Sequence, residues 1–262
     1  MRILLTNDDG VEAVGLRCLA EALGARHELL IVAPAHEQSG IGHAFTFKSP
    51  LYHRAAGPGD GPLTYAVDGT PADCVKFAVA HLARERPEAV VAGMNIGENS
   101  GISSIYSGTV AAAREGALWG IPSFAFSVAG TIERYAADYA VRALEILEWV
   151  MGAEGGALVR RRPRTFYNVN FPACAPSECR GVRVTRQSLA FFDDHYRSAG
   201  HTERGEGFLL SGEKRNLEAG REYDSRTLGE HYAALTPLGL DATDPDAFAA
   251  LQAAGPAPFL SA

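Results

Sequence analysis

The first ten residues, MRILLTNDDG, constrain the fold and the chemistry of this chain more than any other stretch. Residues 3–5 form a short apolar run, and Asp8 and Asp9 follow it closely. Two adjacent carboxylates at the end of a buried strand are costly unless a cation or several hydrogen-bond donors compensate them. In an open α/β sheet, ligands bind in the crevice beyond the carboxyl ends of the strands. We therefore predict that Asp8 and Asp9 hold a divalent metal ion that acts on a phosphate group.

Composition narrows the class of protein. The chain has 262 residues, of which 47% are hydrophobic, so it can bury one large α/β core with an appendage. Its formal net charge of -7 does not imply a basic surface for a nucleic-acid polymer. The N-terminus lacks a signal-peptide pattern, and no apolar run reaches the roughly 20 residues of a membrane span. We expect a cytoplasmic protein without membrane partners. Cys18 and Cys74 are expected to be small buried hydrophobic residues. Cys174 and Cys179 are expected to be plain loop thiols, with pairing or metal binding as the alternative.

The order of predicted elements is that of an α/β fold. A strand at 2–6, a helix at 14–25 and a strand at 27–33 form a βαβ unit, which predicts parallel pairing with a right-handed crossover. Further strands are predicted at 44–47, 63–67, 88–92, 121–127, 165–171, 182–185 and 231–238, and further helices at 70–84, 109–118, 135–151 and 244–254. The glycine-rich residues 93–108 are predicted to be a functional loop. Residues 186–235 lack βαβ periodicity and are predicted to form an extended hairpin.

Polar residues follow the carboxyl ends of several predicted strands. Because parallel strands end at the same edge of a sheet, residues far apart in sequence converge there. The carboxylate, hydroxyl and amide side chains at these strand ends are hard oxygen donors, which suit Mg²⁺, Mn²⁺ or Ca²⁺ better than zinc or copper. The alternative for the two aspartates is a turn that caps a helix. We predict one divalent ion, Mg²⁺ or Mn²⁺, held by Asp8, Asp9, Ser39 and Asn95.

A phosphate site is predicted at the start of the helix at 109–118. Ser107, Gly108 and Thr109 supply free backbone N–H groups there, and the helix dipole favours an anion. Asn95 is a further candidate for contact with the phosphate. The alternative is that Ser107 and Thr109 are ordinary helix caps. Asn7 is expected to fix the turn before Asp8, with a direct part in catalysis as the alternative.

Several common phosphate and hydrolase motifs are absent from the sequence. It has no G-x-x-x-x-G-K-[ST] loop and no H-E-x-x-H, and residues 40–42 do not complete a G-x-G-x-x-G. The adjacent pair Asp8 and Asp9 also differs from haloacid dehalogenase-type hydrolases, whose two acids are one residue apart. A covalent phospho-aspartate is therefore disfavoured.

Seven short motifs together resemble a known family. NDDG, EQSG, GTPADCV, GMNIG, YSGTVAAAREGA, NVNFP and LTPL occur in this order over most of the chain. They resemble the survival protein E (SurE) family of 5′/3′-nucleotidases. The resemblance implies a three-layer, Rossmann-like α/β fold with a mostly parallel sheet, a projecting β-hairpin and a C-terminal segment exchanged within a homodimer or homotetramer. It also implies metal ligands at Asp8, Asp9, Ser39 and Asn95 and a phosphate site at residues 107–109.

These observations give one continuous domain with an appendage: an α/β catalytic core at 1–185, and a hairpin and C-terminal oligomerisation extension at 186–262. We expect a divalent-metal-dependent phosphomonoesterase that releases phosphate from nucleoside 5′- and 3′-monophosphates, and also from short polyphosphate. Asp8 or Asp9 would activate the attacking water. The alternatives are a non-catalytic module that senses metal and nucleotide, and a dinucleotide-dependent oxidoreductase, which lacks its fingerprint here.

Overall fold

The structure is a computed structural model that describes residues 1–57, 61–130, 133–152, 156–157, 159, 162 and 164–254. The strands are β1 (Arg2–Thr6), β2 (Glu28–Pro34), β3 (His53–Ala56), β4 (Leu63–Val67), β5 (Ala89–Ile96), β6 (Ser123–Val128), β7 (Phe166–Phe171), β8 (Val182–Val184), β9 (Phe191–Thr202), β10 (Gly205–Arg215) and β11 (Ala233–Leu238). The α-helices are α1 (Val14–Gly24), α2 (Pro71–Phe77), α3 (Ser103–Tyr106), α4 (Gly108–Leu118), α5 (Ala136–Met151), α6 (Asp224–Gly229) and α7 (Pro245–Ala253).

A mostly parallel sheet forms the centre of the molecule. Within the described residues it has nine strands in the order β3-β4-β2-β1-β5-β6-β7-β11-β8. Strands β4, β2, β1, β5, β6 and β7 run parallel, whereas β3 pairs with β4 and β11 pairs with β7 in the antiparallel sense. Helices α1 and α5 pack on one face of the sheet, and α2 and α4 pack on the other. This arrangement confirms the predicted three-layer α/β fold.

The apolar run in β1 is continuous because both faces of the strand are buried. Ile3 and Leu5 pack into the core that contains α1 and α5, while Leu4 packs into the core beside α2. Alternate residues of a strand point to opposite faces, so three consecutive apolar residues are needed to fill both layers. Side chains beyond Thr6 lie at the carboxyl edge of the sheet, where α1 and α4 begin.

The end of β5 is shaped to support this edge. The pairing of β5 with β6 shifts register between Ala92 and Asn95, and such a bulge re-aims the residues that follow it. A Cβ on Gly15 would overlap the carbonyl oxygen of Met94. Only glycine therefore lets the first turn of α1 rest directly on the end of β5.

The prediction of a strand at 44–47 is wrong. These residues have no strand partner, because side chains of the α2 region satisfy their backbone instead: Thr70 Oγ1 donates to the Ala44 carbonyl at 2.7 Å, and the Thr46 N–H donates to Asp73 Oδ1 at 2.8 Å. The strand on this side is β3, which the sequence analysis missed. The helix predicted at 70–84 also differs, since α2 ends at Phe77 and a π-helical turn follows at Ala78–Leu82.

The predicted loop at 93–108 is shorter than expected. Strand β5 continues to Ile96, and α3 occupies Ser103–Tyr106. The irregular part is therefore residues 97–102, which cross the carboxyl edge of the sheet.

The projecting hairpin is confirmed. Strands β9 and β10 form a separate two-stranded antiparallel sheet, and every residue of β9 is exposed. Strand β11 returns to the main sheet, whereas α7 has no buried residue. Exchange of the C-terminal segment and the division at 185/186 stay predictions.

Among the described residues, no helix combines the length and apolar character needed to cross a bilayer.

Candidate functional site

Asp8 is the most tightly held of the predicted site residues. Its side chain is 4% exposed, and the Thr109 hydroxyl donates a hydrogen bond to its Oδ1 atom. Burial raises the pKa of Asp8, while hydrogen bonds from the hydroxyl and N–H of Thr109 and the N–H of Gly108 oppose that rise. A Cβ on Gly108 would lie 2.8 Å from Asp8 Cβ. Glycine at this position therefore lets the start of α4 close onto the carboxylate.

The other residues of the predicted phosphate site lie at the same helix start. Ser107 Oγ accepts a hydrogen bond from the Val110 N–H at 3.1 Å, so Ser107 is the N-cap of α4. The capping alternative is thus observed for Ser107, whereas the Thr109 hydroxyl turns to Asp8. Because Ser107 also lines a cleft with Asp8, capping and contact with an anion are compatible at this position.

An open cleft of about 320 Å³ lies at the carboxyl edge of the sheet. It brings together all four predicted metal ligands, which come from the ends of three different strands and the loops that follow them. Its lining residues are Asp8, Asp9, Glu37, Ser39, Gly40, Asn95, Ile96, Asn99, Ser103, Tyr106 and Ser107.

The two neutral members of the predicted ligand set are oriented by hydrogen bonds. Ser39 Oγ donates its proton to Glu37 Oε1 at 2.6 Å, so its lone pairs remain for another contact. Asn95 Nδ2 donates to the Gly97 carbonyl at 2.6 Å, so the amide oxygen is the end of this side chain that is able to act as a ligand. The sequence analysis missed Glu37, which no motif distinguishes from an ordinary surface acid.

The donor set fits a hard divalent cation. It offers two carboxylates, one hydroxyl and one amide oxygen around one cleft, which is the ligand chemistry of Mg²⁺, Mn²⁺ and Ca²⁺. Over the described part of the chain, no three His, Cys, Asp or Glu side chains are placed as a metal cluster. A cation here would therefore depend on the neutral oxygens of Ser39 and Asn95 as well as on Asp8 and Asp9.

Asn7 closes the turn between β1 and α1. Its Nδ2 donates to the Gly10 carbonyl at 2.8 Å, and the Gly10 N–H donates to its Oδ1 at 3.3 Å. The side chain is fully buried and does not line the cleft. The expected role of Asn7 in fixing the turn is therefore observed.

A buried amide network that the sequence analysis missed supports the far wall of the cleft. The Asn99 N–H donates to Asn170 Oδ1 at 2.7 Å, and Asn99 Nδ2 donates to Ser127 Oγ at 2.9 Å. Asn168 Nδ2 donates to the Asn99 carbonyl at 2.8 Å. The signal was the alternation in Asn-Val-Asn, since residues two apart in a strand share a face.

Comparison with known proteins decides the family. A family model described as Survival protein SurE matches residues 3–194. This chain belongs to the SurE family. The resemblance inferred from the seven motifs is confirmed, and so is the enzyme class that it implied, a phosphoric monoester hydrolase.

Relatives named as 5'-nucleotidase SurE match almost the whole chain. A 5'-nucleotidase SurE from Thermosipho melanesiensis is 36% identical over 248 residues, covering 93% of each chain. One from Aeromonas hydrophila is 38% identical over 269 residues, covering 97% of this chain and 98% of its own. The crystal structure of the SurE protein from Aquifex aeolicus superposes with a TM-score of 0.81 at 32% identity, over 98% of this chain and all of that one.

Proposed function

We propose that this protein is a divalent-metal-dependent phosphomonoesterase that hydrolyses nucleoside 5′-monophosphates, with 3′-monophosphates and short polyphosphate as further substrates. The observation that carries the proposal is the meeting of Asp8, Asp9, Ser39 and Asn95 in one cleft beside the start of α4. The names of its relatives as 5'-nucleotidases support the substrate class.

The metal is Mg²⁺ or Mn²⁺, held by the two carboxylates with the oxygens of Ser39 and Asn95. When bound, such an ion polarises a phosphate oxygen and lowers the pKa of a coordinated water. Asp8 contributes a rigid ligand because Thr109 and Gly108 fix its carboxylate. The proton of the Ser39 hydroxyl goes to Glu37, so Ser39 offers a lone pair to the cation.

The phosphoryl group would lie between this ligand set and Ser107, which lines the same cleft. Because the N–H groups of Gly108 and Thr109 act on the Asp8 carboxylate and the Val110 N–H bonds to Ser107, the charge on the phosphoryl oxygens would be stabilised by the Ser107 hydroxyl proton and the dipole of α4. Asn99 lies on the opposite wall of the cleft, with its backbone and amide nitrogen fixed by the buried amide network. Asp9, which is more exposed than Asp8, orients the attacking water and takes up its proton.

The test is a phosphate-release panel on the purified full chain. Nucleoside 5′- and 3′-monophosphates and short polyphosphate are assayed in EDTA and then with Mg²⁺, Mn²⁺ or Ca²⁺ restored. We expect no release in EDTA and recovery with Mg²⁺ or Mn²⁺. Asp8→Asn should lower release by at least about 100-fold, while the matched control Asp138→Asn, on the exposed surface of α5, should leave it unchanged. Nucleotide binding without release under any ion would identify a sensing module instead.

We also propose that the protein works as a homodimer or homotetramer. The projecting hairpin exposes large apolar side chains that in a lone subunit would face water: Phe192, Tyr196, Phe208 and Leu210 on one face, and Leu209 on the other. Helix α7 likewise buries none of its residues, although Phe248 and Leu251 are apolar. Sedimentation equilibrium should give a mass of two or four chains, and the mass of one chain would contradict the proposal.

A further inference from the structure

A buried carboxylate outside the predicted reaction joins three parts of the chain. Glu115, on the last turn of α4, is 3% exposed. It accepts hydrogen bonds from Lys76 Nζ at 2.7 Å and from Trp119 Nε1 at 2.9 Å, and His43 Nε2 lies 3.0 Å from its second oxygen. Burial raises the pKa of Glu115, but the hydrogen bonds from His43, Lys76 and Trp119 together lower it by more than burial raises it. The pKa of Glu115 therefore lies below its usual value.

Of these three partners, His43 is the one on the loop that carries Ser39. Lys76 belongs to α2, and Trp119 directly follows α4. His43 is four residues from Ser39, and its side chain is 22% exposed, so the contact with Glu115 is largely shielded from water. The start of α4 therefore contacts Asp8, and Glu115 near its end contacts the loop that carries Ser39.

The segment between Gln38 and His43 has a fixed point at each end. At one end the Gln38 N–H donates to the Asp8 carbonyl at 2.7 Å. At the other end the Gly42 N–H donates to the Tyr106 carbonyl at 2.8 Å, and His43 contacts Glu115. Ser39 lies between these two anchored ends and is not part of a β-strand. Its distance from Asp8 therefore depends on the anchor at Gln38 and on the anchor at Gly42 and His43.

We propose that His43 is a positioning residue for metal binding: by its contact with Glu115 it holds Ser39 at the distance from Asp8 that a divalent cation requires. The inference rests on the proposed ligand set. Residues that orient metal ligands from outside the coordination sphere contribute on the order of tenfold or more to metal affinity. Loss of the His43 contact should therefore weaken metal binding by about tenfold, while the chain stays folded.

The test measures binding of Mn²⁺ to metal-free protein, by the electron paramagnetic resonance signal of the free ion. His43→Ala and His43→Phe both remove the contact, and the second keeps a ring of similar volume in place. His43→Gln keeps a side-chain N–H that can reach Glu115. The matched control is Trp119→Phe, which also removes one donor from Glu115 but lies outside the Ser39 loop. Circular dichroism verifies that each variant is folded.

We expect the dissociation constant for Mn²⁺ to rise about tenfold in His43→Ala and His43→Phe. His43→Gln and Trp119→Phe should bind Mn²⁺ as the wild type does. Phosphate release by His43→Ala should need more Mn²⁺ for half its maximum rate, with a maximum close to the wild-type value. The inference is overturned if the two contact-removing variants keep wild-type affinity, or if Trp119→Phe weakens binding equally.

Failure of this inference is distinguishable from failure of the proposed function. If wild-type protein binds no Mn²⁺ and releases no phosphate, the ligand set itself is wrong. If wild-type protein binds Mn²⁺ and is active but His43→Ala is unchanged, only the positioning role is lost.

Discussion

Gly108 gives the sharpest test of how closely α4 and Asp8 must fit. In Gly108→Ala, the new Cβ would lie 2.8 Å from Asp8 Cβ, 3.0 Å from Asp8 Oδ2 and 3.1 Å from Pro71 Cγ. Carbon atoms in proteins do not approach so closely without a shift, so the Asp8 side chain or the start of α4 has to move. Overpacking of this kind costs about 1–3 kcal/mol of stability. A displacement of about 1 Å at a reacting group lowers kcat roughly 100-fold.

The matched control is Gly116→Ala on the same helix. Its Cβ would overlap the Ser123 hydroxyl and come within 2.8 Å of Val90 Cγ2, far along α4 from the cleft. Both variants should lose free energy of unfolding in urea titrations. Only Gly108→Ala should lose phosphate release from a nucleoside 5′-monophosphate at saturating Mn²⁺. If Gly108→Ala keeps wild-type kcat despite its lower stability, or if Gly116→Ala loses as much activity, the fit between α4 and Asp8 is irrelevant to catalysis.

Asp8, Glu115 and Asn170 each offer a further test. Asp8→Asn should lower kcat by at least about 100-fold, because loss of a proposed ligand should cost at least the roughly 10–100-fold that loss of an outer-shell partner costs, with little change in the unfolding midpoint. The pKa of Glu115 lies below its ordinary value of 4.5, so its ionised form stabilises the fold above that pH, and this stability is lost as the pH falls through the lowered pKa. In urea titrations from pH 7 to pH 3, the free energy of unfolding should therefore fall more steeply in the wild type than in Glu115→Gln. Asn170→Ala leaves the buried Asn99 N–H without its acceptor and should cost about 1–3 kcal/mol in the same titration.

Local sequence patterns were sufficient to predict the core. The strand, helix and strand of the first 34 residues follow from apolar runs and one amphipathic segment, and they appear in the structure within a few residues. The meeting of Asp8, Ser39 and Asn95 also followed from topology alone, because parallel strands end at one edge. These inferences needed no knowledge of side-chain contacts.

The features that were missed depend on contacts between distant segments. Residues 44–47 have the composition of a strand, but Thr70 and Asp73 take their backbone groups. The hydrogen bond from Ser39 to Glu37 and the link from His43 to Glu115 depend on rotamers and helix positions, which no periodicity encodes. Local pattern therefore predicts which elements form, while the orientation of the ligands comes from tertiary packing.

In the proposed function, four oxygen ligands in one cleft hold a divalent ion on which phosphate release depends. The most direct measurement titrates metal-free protein with Mn²⁺ and follows both bound Mn²⁺ and phosphate release from a nucleoside 5′-monophosphate in the same samples. We predict one ion bound per chain, release in proportion to occupancy, and loss of both in the double variant of Asp8→Asn with Asp9→Asn. Full release in EDTA, or Mn²⁺ binding that survives in the double variant, would contradict the claim.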